Sequence, residues 1–323
     1  ANSANEAVVR EDNMTTFKGM IAALKAKGVT EILYATDSFI LPYGYADDKN
    51  HNITVPDPED DVENYVAWLT VNASAFKALA EEVPEIKFFE PFNEINTTGT
   101  RLERYGCAWD ATSDVQAAYK FTVKEKAVIM ADLCWYISDA VKSVDSANQV
   151  TTPSIVVGSN SVIENDFIDE FYKAIESGVY PTNKVLGDKR VDNYFTIVNI
   201  HAYPGYTEDD SWLGDNFESN ANAEMAEWAG YINTAYDVVK AHNDGGSRVW
   251  ITETGMSTYH SDGATLAECA QILYDLGCWD AINLDGGNTA AMLFMGESVE
   301  MANNGGLYEN ERAIPDILCA GTY

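Results

Sequence analysis

Short apolar runs alternate along this chain with longer stretches in which apolar residues recur at helical spacing. Residues 14–27 set Phe17, Met20, Ile21 and Leu24 on one helical face, and Gly28 stops the pattern. A strand is expected over 29–36. A second helix is predicted over 60–82, with Val62, Tyr65, Val66 and Leu69 as its apolar stripe and Pro84 beyond its end. Buried-strand runs follow at 86–92, 153–158, 194–201, 248–252 and 290–295. Between them helices are predicted at 113–144, 165–177, 223–243 and 265–276. Residues 1–13 are polar, with Val8 and Val9 as the one hint of a strand. The segment 37–60 is a long loop carrying Phe39, Pro42, Tyr43 and Tyr45, and its length and aromatic content point to function.

Strands that are nearly all apolar and separated by helices belong to a parallel sheet covered on both faces. Two architectures fit, an open doubly wound sheet and a closed barrel. No glycine-rich phosphate loop follows any of the strands, which removes the main support for a nucleotide-binding open sheet. Asn93, Glu94, His201, Tyr203 and Glu253 fall at the carboxyl ends of strands, where barrel sites are built. The expected fold class is therefore α/β, a TIM (β/α)8 barrel, with residues 1–323 as one catalytic domain.

Composition narrows the partners. The formal net charge is -31, so nucleic acid and anionic membranes would be repelled. No apolar run approaches the roughly 20 residues of a membrane span. Cys107, Cys134, Cys269, Cys278 and Cys319 have no metal-ligand spacing, and an odd number leaves at least one outside any internal pairing. Asn13, Asn52, Asn72 and Asn96 lie in glycosylation sequons.

The candidate chemistry lies in two stretches. Residues 88–96, Phe-Phe-Glu-Pro-Phe-Asn-Glu-Ile-Asn, end a strand in an amide and a carboxylate, and 249–255, Val-Trp-Ile-Thr-Glu-Thr-Gly, end another in Glu253. Two strand-end glutamates are the chemical core of a glycosidase. A single strand-end glutamate is more often an ordinary loop residue; the pairing of motifs is what reverses those odds. His201 reads either as a site residue or as a satisfied core histidine, and Tyr43 and Tyr45 as sugar platforms or as loop packing. Trp109, Trp212 and Trp228 are candidates for core or cleft. Glu90 lies four positions before Glu94, so strand alternation turns both inward, and Arg101 and Arg104 are candidate partners for it.

At these residues a family likeness emerges. Glu90-Pro-Phe-Asn93-Glu94-Ile-Asn96 resembles the acid/base strand of clan A glycoside hydrolases, and looks most like family 39, the xylosidase and iduronidase group. His201-Ala-Tyr203-Pro204 is similar to the clan's sixth-strand motif, Trp250-Ile-Thr-Glu253-Thr-Gly255 to its seventh-strand nucleophile, and Ser38-Phe39-Ile-Leu-Pro42 to the third-strand end. The likeness spans residues 14–300. Ile95 departs from it, standing where the clan often has proline, and so does the last strand, which lacks the usual Trp.

The resemblance makes the six strands the third to eighth of the barrel. The first two are then expected to be missing from this chain, which becomes a piece of a longer protein with possible further domains. It also implies a retaining glycosidase acting on an oligosaccharide or polysaccharide of plant or host origin, secreted or at the cell surface, with no metal or cofactor. Glu253 is the implied nucleophile and Glu94 the acid/base; Asn93 is expected to bind the sugar 2-hydroxyl and Tyr203 to orient Glu253. His201, Tyr43 and Phe294 complete the expected substrate-binding set. The competing expectation is a non-catalytic glycan-binding or structural protein on the same barrel.

Overall fold

The computed structural model of the chain describes residues 1–44, 54–97, 102–105, 119–158, 163–177, 190–202, 217–242, 247–254, 292–294 and 297–299, with the backbone alone for 217–225 and 292–299. In chain order the elements are α1 (Glu11–Ala26), β1 (Leu33–Tyr34), β2 (Thr54–Val55), α2 (Val62–Glu82), β3 (Phe88–Phe89) and β4 (Glu103–Arg104). Then come α3 (Val123–Val144), β5 (Gln149–Val150), β6 (Ile155–Val157), α4 (Phe167–Ser177), a 3-10 turn (Val191–Asn193) and β7 (Ile197–Ala202). The last are α5 (Phe217–Ala241), β8 (Arg248–Glu253), β9 (Met292–Phe294) and β10 (Glu297–Val299). The helix expected at 265–276 and the start of the one expected at 113 lie outside the described residues. Parallel strands separated by helices make this an α/β protein, as the pattern predicts. Among the described residues no helix is long and apolar enough to cross a membrane.

The chain falls into two compact units, the first made of Ala1–Ile155, Val162–Val198 and Asp237–Arg248, the second of Val156–Ser161, Asn199–Tyr236 and Val249–Tyr323. In the first, β1, β3 and β5 form a parallel sheet with Leu33 opposite Phe88 and Phe88 opposite Gln149. A parallel bridge from Thr151 to Ile197 continues it.

The helices of this unit are set by local chemistry. Gly28, at φ +90°, ends α1: its N–H donates to the Lys25 carbonyl and that of Val29 to Leu24, the Schellman pattern that satisfies a helix's last carbonyls. Thr122 caps α3 through the Glu125 N–H, while the Glu125 carboxylate accepts from the Thr122 N–H, a complete capping box.

Helix α2 packs on α3, and α3 on α4. The buried face of α2 is Tyr65, Trp68, Leu69, Asn72, Phe76 and Leu79. Val62, expected on that stripe, is exposed at the first position of the helix. Each fully buried large apolar side chain here contributes roughly 1.5–3 kcal/mol. Inside this interface the Tyr65 hydroxyl donates to the buried Asp132 carboxylate at 2.9 Å, so a buried charge is hydrogen-bonded.

Strand β2 pairs parallel with β4. Arg104 of β4 meets Asp57 at 2.5 Å and Glu125 at 2.6 Å and lies over the Phe121 ring. Its guanidinium is thus engaged in pinning β4 to the start of α3, which corrects its candidacy as the partner of Glu90. Arg101 lies outside the described residues.

The second unit holds all but the first residues of β7 and β8, which belong to a sheet ordered β6-β7-β8. Trp228 of α5 is buried and donates its indole N–H to the Ala202 carbonyl at 2.9 Å, so it belongs to the core. Strand β9, expected as the final parallel strand, pairs antiparallel with β10 instead. The two strands are separated by two residues in sequence, far fewer than the crossover a parallel return needs.

Candidate active site

Three backbone bonds tie the strand containing β3 to the one containing β5: Gln149 N–H to Lys87 O, Thr151 N–H to Phe89 O and Ser154 N–H to Phe92 O. The register is the same in all three, yet the interval lengthens from two residues to three. The cause is Pro153, which in a regular ladder would donate to Pro91 and has no N–H to give. Past this proline pair the backbone leaves the regular strand and Glu94 takes φ +47°. Among the described residues it shares a left-handed backbone with one other non-glycine, Asn5. Glutamate does so at a cost, and such strain clusters at functional sites.

Ser154, fully buried on the neighbouring strand, lies beside this turn. The Glu94 N–H donates to its Oγ at 2.8 Å, its hydroxyl donates to Asn93 Oδ1 at 3.1 Å, and its carbonyl accepts from the Ile95 N–H at 3.3 Å. Below the turn Phe92 stacks on Phe39 at 4.5 Å, and Phe39 meets Trp68 edge-on at 4.9 Å. The loop aromatic Phe39 therefore buttresses the strand end from within the core. Beyond the turn Asn96 is locked to Glu164: its side chain donates to the Glu164 carbonyl at 3.3 Å, and its own carbonyl accepts from the Glu164 N–H at 2.8 Å. Glu164 in turn pairs with the buried Lys126 at 2.8 Å.

Asn93 and Glu94 are both half-buried, which leaves each partly open to solvent. Glu90 is buried at 2% exposure, and its N–H donates to the Tyr34 carbonyl.

In the second unit, His201 at the end of β7 brings Nδ1 to 3.5 Å from the Glu253 carboxylate at the end of β8. The His201 side chain is 4% exposed and that of Glu253 20%. Beneath them Thr252 donates its hydroxyl to the buried Asn199 amide oxygen, linking β8 to β7. His201 thus lies beside the Glu253 carboxylate, at the ends of two neighbouring strands.

Tyr43 is exposed, and its N–H donates to Asn5 Oδ1 at 2.6 Å. Tyr203 and Tyr45 lie outside the described residues, as do Trp109 and Trp212; of Phe294 the backbone alone is described, in β9. Reading the sequence missed Ser154, Asn199 and Thr252. The signal for Ser154 was present in Pro91 and Pro153, which fall opposite one another once β3 and β5 are paired.

A family model described as "NAGPA: Phosphodiester glycosidase" matches residues 217–320, about a third of the chain. No curated protein matches the sequence. Among solved structures, a β-glucosidase from Thermotoga maritima is similar at 13% identity and TM-score 0.43, over 82% of this chain and 62% of that one. The GH family 44 endoglucanase Cel44A from Clostridium thermocellum aligns at 12% identity and TM-score 0.36, over 74% and 53%. A monomeric β-xylosidase from Caulobacter crescentus CB15 aligns at 16% identity and TM-score 0.39, over 76% and 41%. The chain spans about half the length of the solved structures it matches.

Proposed function

We propose that this chain is the catalytic part of a retaining glycoside hydrolase on a (β/α)8 barrel, acting on oligosaccharides or polysaccharides outside the cell or at its surface. The observation that carries the reading is the Asn93–Glu94 turn, a carboxylate held on left-handed backbone at a strand's carboxyl end. The partner motif supports it, because Glu253 also ends a strand and has His201 at 3.5 Å. The partial match to a phosphodiester glycosidase model over 217–320 supports cleavage at a sugar.

In this reading the Glu253 carboxylate attacks the anomeric carbon as the glycosidic C–O bond breaks, and Glu94 passes its proton to the leaving oxygen. Water then attacks the glycosyl ester, Glu94 takes the water's proton, and Glu253 is released. Asn93 binds the sugar 2-hydroxyl, a contact that tightens in the transition state. Tyr203, Tyr43 and Phe294 belong to the substrate-binding set.

The family match also raises a second substrate class, sugars linked through a phosphodiester. A net charge of -31 opposes anionic substrates, so neutral glycans are favoured.

A panel of aryl glycosides and sugar phosphodiesters tests both. Hydrolysis of the aryl glycosides with retained anomeric configuration is expected. Glu94→Gln should lower kcat/KM by about 10²–10⁴-fold, and least for the best leaving groups, whose departure needs no proton. Glu253→Gln should abolish trapping of a 2-fluoro-glycosyl ester on the protein. An unmutated chain that binds oligosaccharides but hydrolyses nothing would move the function to non-catalytic glycan binding.

A further inference from the structure

We infer that Ser154 is a positioning residue that holds the Asn93–Glu94 turn and fixes which end of the Asn93 amide meets the substrate. The inference rests on the glycosidase reading for its consequence and on geometry for its substance. Ser154 is fully buried, 60 residues from Glu94 in sequence, and its one hydroxyl serves two neighbours at once. As an acceptor it takes the Glu94 N–H, a donor that left-handed backbone removes from the strand ladder. As a donor it claims Asn93 Oδ1.

The second bond has a chemical consequence. With Oδ1 committed to Ser154, the Nδ2 donors are the end of Asn93 left for the substrate, so the amide donates and the sugar hydroxyl oxygen accepts. An amide free to flip would offer the wrong end half the time and would lose its preorganised contact in the transition state. The hydroxyl reaches both groups because the Pro91–Pro153 pair moves the ladder bond onto the Ser154 N–H, placing that residue beside the turn.

Three variants of the full chain test this: Ser154→Ala, which removes both bonds, Ser154→Thr, which keeps the hydroxyl, and Asn93→Ala for comparison. In Ser154→Ala, kcat should fall about tenfold to a hundredfold with KM little changed, the size of effect expected for a misplaced reacting group. The loss should shrink on 2-deoxy glycosides, which lack the hydroxyl that Asn93 reads, and Ser154→Thr should restore most of the rate. Equal losses on the parent and 2-deoxy substrates, or an unchanged kcat, would overturn the inference.

Amide hydrogen exchange at Glu94 provides a readout free of activity. Exchange should quicken in Ser154→Ala, and an unchanged rate would overturn the hold itself. If the unmutated chain cleaves no glycoside, the glycosidase reading falls on its own, while the exchange rate still decides whether Ser154 holds the turn.

Discussion

A glutamate at φ +47° carries a backbone penalty on the order of 1–2 kcal/mol that glycine escapes. Glu94→Gly is therefore expected to leave the melting temperature unchanged or raised while abolishing hydrolysis, and a thermal scan beside an assay checks both. The same substitution at an ordinary loop position costs stability through the unfolded chain. Burial makes a second statement at this scale. Asn72 is 4% exposed and bonds the Ile40 N–H, the Ile40 carbonyl and the Trp68 carbonyl, and Asn96 is fully buried. Expressed in a glycosylating host, the folded protein should carry no glycan at either, as the masses of the peptides containing them will show after digestion. The sequence was enough to put Asn93 and Glu94 at a strand end, because apolar runs mark strands. It did not reveal the left-handed turn, since period-two alternation contains no sign that a strand has ended.

Among the elements, α3 shows what local chemistry decides. Its capping box, Thr122-x-x-Glu125, stands in the sequence, but the helical pattern expected from 113 runs through it, and periodicity has no cue for where a helix begins afresh. Thr122→Ala removes one member of the box and should cost about 1 kcal/mol, read as a lower urea midpoint at unchanged slope. Farther along the same helix Cys134 is a free, fully buried thiol whose pKa burial pushes far up. It should resist alkylation in the native protein and react only on unfolding, which mass spectrometry of the labelled chain can follow. The long strand runs were legible as buried parallel strands. The antiparallel pairing of β9 was not, because an all-apolar run carries no direction.

At the scale of the molecule, acid and base act on opposite contacts. His242, just beyond α5, stacks on Tyr172 at 4.8 Å with its ring nitrogens at 2.8 Å from Asp169 and 2.7 Å from Glu176. Burial lowers its pKa, but the two carboxylates outweigh burial and hold it above the usual imidazole value. Its contribution is thus complete below the unfolded value of about 6.5 and is lost as pH rises through the folded one. Asp57 runs the other way. Burial raises its pKa, but the Asp60 and Glu59 N–H groups and Arg104 prevail and hold it low, so its contribution disappears as pH falls through that lowered value. The melting temperature should therefore peak in mildly acidic solution and decline above pH 6.5, and His242→Gln should flatten the alkaline side. A charge of -31 adds self-repulsion that salt will relieve.

The proline pair across the sheet has a meaning for assembly as well as for the site. A parallel strand can slide along its neighbour by two residues and lose little, because each N–H finds another carbonyl. Here a slide would set Pro153 against a carbonyl that now has a donor, and would leave Pro91 facing an N–H with a different phase. In the alignment observed, the position that lacks an N–H falls opposite Pro91, and the ladder resumes one residue later at Ser154. That alignment is also the one that brings Ser154 to Glu94, so a misregistered sheet would be recognisable by the absence of the site before any loss of shape.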